Sequence, residues 1–277
     1  MVFTEIDYET QGPIRIIRFN RPQKRNCIGP TTHLELIEAW SRFRDDPHAL
    51  VAIITGAGDQ AFCAGGDLKA ALDLVPTTAD EIAAHNRGER PGIIGPSRWT
   101  DIYKPVIAAV NGVAYAGGLE WACFADMRIA EEHATFGVTC RRWNIGLGDG
   151  GTQRLPRIVG MGRALELILT GKVICASEAL AIGLVNEVVA KGRSLERALE
   201  LAHLLCTLPQ PAMRSDKEAL IRGYGQPLAE GLRIEAECFN RSIHQPETQE
   251  GLRRFRERDH PDLRGDVPPQ TPGLTRD

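Results

Sequence analysis

Nothing in this chain marks a metal centre, a disulfide framework or a hydrolytic serine. It has no CxxC pair, no H-E-x-x-H, no G-x-S-x-G and no paired histidines; its seven histidines are scattered. No metal site is therefore expected, and serine hydrolysis is disfavoured. The chain also lacks any apolar stretch of about 18 residues, the length a membrane helix needs. Its first residues, Met1-Val2-Phe3-Thr4-Glu5, carry neither a basic nor an apolar leader region, so no secretory signal is expected. Positive charge is not in excess: 33 Lys and Arg stand against 36 Asp and Glu, a net charge of -3. No overall field draws the chain to nucleic acid or to an anionic membrane, and neither partner is expected. A polyanionic ligand has to be met by a local cluster of bases. The seven cysteines (Cys27, Cys63, Cys123, Cys140, Cys175, Cys206, Cys238) are odd in number and mostly sit in apolar runs. Reduced thiols in a cytoplasmic protein are the expectation.

What is present is the profile of a globular α/β protein. The 277 residues, 43% hydrophobic and 25% charged, fit one α/β domain with an appendage. Ile14-Arg15-Ile16-Ile17-Arg18-Phe19 reads as a strand ended by Asn20-Arg21-Pro22. Thr31 or Thr32 can cap a following helix with Leu34, Ile37 and Trp40 on one face. Two unbroken apolar runs, Val51-Ala52-Ile53-Ile54-Thr55 and Val106-Ile107-Ala108-Ala109-Val110, suit strands covered on both faces. Between them, residues 75–97 hold Pro76, Pro91 and Pro96 with little periodicity. They read as a long mobile loop, either a binding segment or a tolerated surface insertion. From Ser194 the pattern turns helical, with Leu195, Ala198, Leu199, Ala202 and Leu205 on one face. Further helices are expected over 213–222, 228–239 and 248–258, and a frayed tail from His260.

Two segments imitate a dinucleotide fingerprint, Gly56-Ala57-Gly58-Asp59-Gln60-Ala61 and Gly146-Leu147-Gly148-Asp149-Gly150-Gly151. The first lacks an immediate helix after it and the second lacks a good strand before it, so neither reads as a nucleotide site. More informative are two glycine turns that each follow a buried strand: Ala64-Gly65-Gly66-Asp67-Leu68-Lys69 and Ala116-Gly117-Gly118-Leu119-Glu120. Adjacent glycines admit a ligand to the backbone N–H groups, and a helix opening there adds its positive end. Either the pair forms an oxyanion hole or both are simply tight strand-to-helix turns. Glu120, set among Leu119, Trp121, Ala122, Cys123 and Phe124, is a candidate acid/base. Burial raises its pKa and a helix N-terminus lowers it. A buried salt bridge with Arg128 or Arg154 is the competing reading.

On these residues the sequence resembles the crotonase superfamily, the enoyl-CoA hydratase/isomerase family. The resemblance runs from Asn20-Arg21-Pro22 through Ala61-Phe62-Cys63-Ala64-Gly65-Gly66-Asp67-Leu68-Lys69 and Lys104–Gly112 to Gly117-Gly118-Leu119-Glu120 and Gly151-Thr152-Gln153-Arg154-Leu155-Pro156-Arg157. It implies an α/β spiral of ββα units over residues 1–200, which holds the acyl-CoA site. A C-terminal helical trimerisation region over 201–277 would make a homotrimer or a dimer of trimers. It also implies an acyl-CoA substrate whose thioester oxygen is held by the N–H groups of Gly66 and Gly117. Glu120 is then the catalytic carboxylate, and Arg25, Ala64, Asp67, Leu68 and Lys69 lie toward CoA. No cofactor is implied, since the thioester itself acidifies the α-proton.

One departure stands out. Hydratases of the family carry a second glutamate, and the matching position is Cys140, in Gly137-Val138-Thr139-Cys140. Asp149 is the candidate substitute, as a second catalytic group or as an N-cap for a helix starting near Gly151. The nominal expectation is an enoyl-CoA hydratase. Alternatives are a Δ3,Δ2-enoyl-CoA isomerase, a CoA-thioester hydrolase or dehalogenase using Asp149, and a non-catalytic acyl-CoA-binding or RNA-associated member.

Overall fold

The computed structural model describes residues 2–257. The strands are β1 (Ile6–Gln11), β2 (Ile14–Phe19), β3 (Val51–Gly56), β4 (Ala61–Cys63), β5 (Val106–Val110), β6 (Val113–Tyr115), β7 (Met127–Glu131), β8 (Thr135–Gly137), β9 (Val173–Cys175) and β10 (Glu187–Val189). The helices are α1 (Pro30–Asp45), α2 (Ala79–Asn86), α3 (Gly117–Phe124), α4 (Gly151–Val159), α5 (Met161–Thr170), α6 (Ala176–Ala181), α7 (Ser194–Thr207), α8 (Gln210–Gly223), α9 (Leu228–Ile243) and α10 (Pro246–Arg256). They form two compact units that divide after Gln210.

In the first unit the chain winds as a spiral. One sheet runs β1-β2-β3-β5-β7-β10 and the other β4-β6-β8-β9. Three successive turns thus place β3, β5 and β7 in the first sheet and β4, β6 and β8 beside one another in the second. Pairing is parallel through β2-β3-β5-β7 and β4-β6-β8. As a result, the segments after β4, β6 and β8 leave the same edge of one sheet, where ligands of parallel sheets gather.

The apolar runs are continuous because each strand faces two cores. Val51, Ile53, Ile107 and Ala109 pack with Ala198 and Ala202 of α7. Ala52, Ile54, Ala108 and Val110 point the other way, into a core with Trp40, Phe62 and Trp121. Burying one such Ile or Phe side chain stabilises the fold by about 1.5–3 kcal/mol. The expected face of α7 is the observed one, with Leu195, Leu199 and Leu205 completing its contact.

Three local expectations need correction. Helix α1 is capped by Gly29, whose N–H donates to Thr32 Oγ1 over 3.2 Å, so Thr32 sits in the first turn and is not the cap. Its buried stripe is Glu35, Leu36, Ala39, Trp40 and Phe43, while Leu34 is 57% exposed. Glu35 can lie there because its carboxylate accepts the N–H groups of Thr4, Glu5 and Ile6. Residues 75–97 are not all loop, since they contain α2. The signal was a capping box: Glu81 N–H donates to Thr78 Oγ1, and the Glu81 carboxylate takes the Thr78 N–H in return.

The second unit consists of α8, α9 and α10; α8 and α9 are longer than the sequence suggests, and α10 begins at Pro246 and ends at Arg256, shifted toward the N-terminus. Within it Glu218 pairs with Arg222 at 2.8 Å and with Arg241 at 3.0 Å. The tail expected from His260 lies outside the described residues.

Candidate active site

The strand order brings the two glycine turns together. Cys63 ends β4 and Tyr115 ends β6, its neighbour, so Gly65-Gly66 and Ala116-Gly117 emerge side by side. A Cβ at Gly65, where φ is +98°, would lie 3.0 Å from the Gly117 nitrogen. Gly118 approaches β4 so closely that a Cβ there would stand 1.9 Å from the Cys63 carbonyl oxygen. Only glycine fits at that crossing. Between the turns, Ala116 adopts φ 50° and ψ -118°, a conformation that is costly for a residue with a Cβ. It is held by its N–H donating to Gly137 O at 2.9 Å and its C=O accepting from Glu120 N at 3.1 Å. The second turn opens α3 directly, whereas the first opens a 3-10 segment, Leu68–Asp73.

Gly66 and Gly117 both line a cavity of about 190 Å³, with Glu120, Cys140 and Asp149. Among the described residues, the N–H groups of Gly66 and Gly117 have no protein acceptor. The apolar part of the wall includes Leu74, Val75, Ile93, Ile94 and Leu147.

Glu120 lies in the first turn of α3 and is 3% exposed. Its Oε1 accepts the N–H of Gly151 at 2.8 Å and that of Asp149 at 2.9 Å. Among the described residues it forms no salt bridge. Arg128 is spent on the carbonyl oxygens of Ala122, Ala125, Asp126 and Leu184. Arg154 donates to those of Ser97, Trp99 and Asp149. Burial, aided by the nearby Asp149 charge, pushes the Glu120 carboxyl up to about 8, against the two N–H bonds and Arg154. Between the two opposed effects seen in the sequence, burial wins.

Cys140 follows β8 and stands in the cavity wall, 7% exposed, with burial raising its thiol pKa. It faces the site as a neutral thiol. Asp149 is 4% exposed but caps nothing: Gly150 is the N-cap of α4, and Asp149 Oδ1 accepts from Ile93 N, Ile94 N and Ser97 Oγ instead.

The chain matches the enoyl-CoA hydratase/isomerase family over residues 9–266. It belongs to that family. Among its relatives are the (E)-benzylidenesuccinyl-CoA hydratase of Thauera aromatica, 34% identical over 94% of this chain and 99% of the relative. The crotonyl-CoA hydratase of Syntrophomonas wolfei is 36% identical over 93% of this chain and 97% of its own. The crystal structure of the enoyl-CoA hydratase from Bacillus anthracis superposes with a TM-score of 0.80 at 34% identity, covering 92% of this chain and 97% of that one. The chain is therefore a crotonase-fold enzyme of the enoyl-CoA hydratase family.

Within this family frame, the expected CoA-side residues separate. Ala64, Asp67 and Leu68 line the cavity, whereas Arg25 and Lys69 are exposed outside it. Asp67 does not face outward freely. Its carboxylate lies 3.1 Å from Arg21 and 3.4 Å from Lys24. Burial raises its carboxyl pKa, but these bases more than offset that and hold it low. Arg21, 7% exposed, also pairs with Glu5 at 3.3 Å and donates to Cys27 O at 2.6 Å. It ties the first glycine turn to the N-terminal strands, a role the Asn20-Arg21-Pro22 turn signal did not reveal. Ile94 and Ser97 were missed as well, because residues 92–97 have no periodicity to read.

Proposed function

We propose that this protein is an enoyl-CoA hydratase that adds water to a 2-enoyl-CoA thioester with Glu120 as its proton-transfer group. The observation that carries the reading is the convergence of the free Gly66 and Gly117 N–H groups and the buried Glu120 carboxyl on one cavity. The thioester oxygen accepts from both amides, which stabilise the enolate as negative charge develops there. Ionised Glu120 takes a proton from water as its oxygen bonds to Cβ, and then gives that proton to Cα. One water is consumed and the carboxylate is regenerated. With Oε1 fixed by Asp149 and Gly151, Oε2 is the oxygen left for this exchange. The chemistry calls for no resident cofactor.

Among the described residues no Lys or Arg lines the cavity, while Asp67, Glu120 and Asp149 do. This supports an uncharged, mainly apolar acyl group. CoA phosphates would be met outside it, where Arg25, Lys24 and Lys69 are exposed.

A second activity is favoured by Cys140. With one carboxylate and a neutral thiol, the site can also carry a proton between Cα and Cγ, shifting a double bond along the chain. The discriminating experiment assays wild type and Glu120→Gln against 2-enoyl- and 3-enoyl-CoA thioesters. Hydration abolished by Glu120→Gln is the expected result; full turnover by that variant on every active substrate overturns the assignment.

Assembly as a homotrimer or dimer of trimers through the C-terminal helices fits the exposed Leu220, Leu228, Phe239 and Phe255 of the second unit. Light scattering of the purified chain tests it. All seven cysteines are free, which supports a reducing compartment such as the cytoplasm. No helix among the described residues is long and apolar enough to cross a membrane.

A further inference from the structure

Residues 92–97 have no regular secondary structure, yet side chains from distant parts of the chain bond five of their backbone polar groups. Asp149 Oδ1 accepts Ile93 N at 2.8 Å, Ile94 N at 3.3 Å and Ser97 Oγ at 2.6 Å. His33 Nδ1 accepts Gly95 N at 2.8 Å, and Trp121 Nε1 donates to Ile94 O at 2.9 Å. Arg154 Nη1 donates to Ser97 O at 2.6 Å. The segment fits tightly, since a Cβ at Gly92 would lie 2.7 Å from Asp149 Oδ1. Its product is the placement of Ile94. The Ile94 Cδ1 lies 2.5 Å from where a Gly117 Cβ would be, and its Cγ2 lies 3.7 Å from where a Gly66 Cβ would be. Ile94 therefore packs against both glycines whose N–H groups face the cavity.

We propose that Asp149 is a positioning residue, which seats Ile94 against Gly66 and Gly117 through its side chain and Glu120 through its backbone N–H. The proposal rests on the enolate-stabilising reading of this site and assigns Asp149 no proton and no covalent bond to substrate. An oxygen accepting three hydrogen bonds is committed to the segment. Ile94 then excludes water beside the amides, where low dielectric strengthens their pull on the developing oxyanion. The Asp149 charge has a second effect, because it opposes ionisation of Glu120. Glu120 is faced by Asp149 and Arg154, with the Cys123 and Cys140 thiols nearby. Asp149 in turn is faced by His33, His85 and Arg154.

Asp149→Asn and Asp149→Ala separate the roles, since an amide oxygen can accept the same bonds but carries no charge. Asp149→Asn should retain most of the wild-type kcat. Asp149→Ala should lose on the order of 10²-fold in kcat, the scale set by misplacing a reacting group. In both, the Glu120 limb of the pH profile should move to lower pH. Ser97→Ala, which keeps the charge, should lower kcat without moving that limb. Hydrogen exchange supplies a readout independent of activity: the amides of Ile93 and Ile94 should be protected in wild type and Asp149→Asn and exposed in Asp149→Ala. Equal loss of activity in Asn and Ala variants would overturn the proposal in favour of direct catalysis. Unchanged exchange in Asp149→Ala would overturn it on structural grounds. If exchange responds as expected while Glu120→Gln keeps full activity, the anchor stands and it is the enolate reading that fails.

Discussion

The N–H of Gly151 donates to Glu120 Oε1 over 2.8 Å, and a Cβ at position 151 would stand 2.9 Å from that same oxygen and 2.8 Å from Glu120 Cγ. The carboxylate is thus seated by the start of α4, which follows the Asp149 turn. Gly151 has ordinary helical backbone, so alanine there brings no conformational strain of its own. Gly151→Ala should act by displacing Glu120. The expected loss is on the order of 10²-fold in kcat, the scale of an ångström's misplacement. Overpacking should cost about 1–3 kcal/mol of stability. Steady-state kinetics beside a thermal melt checks this; wild-type turnover in a folded variant contradicts it.

Glu120 also sets a pH dependence. The ordinary value for its carboxyl is near 4.5 and the folded value is about 8. Hydration needs the ionised form to take the water proton, so kcat/KM should rise with pH through a midpoint near 8. Stability runs the other way. Between the two values the folded chain keeps a proton that the unfolded chain has released, so stability falls as pH rises through this window. Below it, protonated Glu120 and a glutamine are alike in charge. The melting advantage of Glu120→Gln over wild type should therefore grow from pH 5 to pH 9, and a constant difference would contradict the raised value.

How far this site could be read in advance follows from the reach of each interaction. The Val51–Gly56 and Val106–Val110 strands were legible because burial on both faces leaves an uninterrupted apolar run. Gly66, Gly117 and Glu120 were legible because turn chemistry and an apolar setting are local. The anchoring of residues 93–97 was not. Its acceptors, His33 and Asp149, come from more than 50 residues away on either side of Ile94 in chain order. Leu34 misled for a related reason: the buried carboxylate of Glu35 occupies the stripe of α1, and its partners lie in the first strand region. The same long reach recast Asp149, whose local context suggested a cap.

Arg21 and Asp67 form the tether of the first glycine turn, with side chains 8% and 13% exposed. Removing Arg21 leaves the Asp67 carboxylate with only the exposed Lys24 at 3.4 Å, at a cost of about 1–3 kcal/mol for a largely buried group that loses its main partner. Arg21→Met should be destabilised on that scale, and the loosened turn should raise KM as well. The depressed Asp67 carboxyl contributes stability above the ordinary carboxylate range, and this is lost as pH falls through its lowered value. Wild type should accordingly lose part of its margin over Arg21→Met in acid. Equal acid sensitivity of the two in chemical denaturation would exclude the tether.

The charge of the cavity wall sets a substrate preference. An acyl group bearing a free carboxylate would be brought beside Glu120 and Asp149 with no base lining the cavity among the described residues, since the Asp67 charge is already paired with Arg21 and Lys24. Like charges brought together away from water cost several kcal/mol. Crotonyl-CoA should therefore exceed a carboxylated enoyl-CoA of similar size by on the order of 10²-fold in kcat/KM. Comparable values for the two would place an unrecognised base at the acyl end.

Cys140 offers the sharpest test of how one carboxylate hydrates a double bond. Its thiol lines the cavity with Glu120 and is held neutral by burial, so it can help position water but not deprotonate it. Cys140→Ser keeps a small, neutral, hydrogen-bonding group and should leave the rate near wild type. Cys140→Glu installs a second carboxylate, and general-base assistance is worth about 10²–10⁴-fold where geometry allows. The new charge also opposes ionisation of Glu120, moving its limb to higher pH. Hydration of crotonyl-CoA should thus rise in Cys140→Glu while the Glu120 midpoint shifts upward. A double-bond shift, which needs only one shuttling carboxylate, should gain nothing. If Cys140→Glu leaves hydration unchanged in a folded protein, water activation at this site does not run through the position after β8.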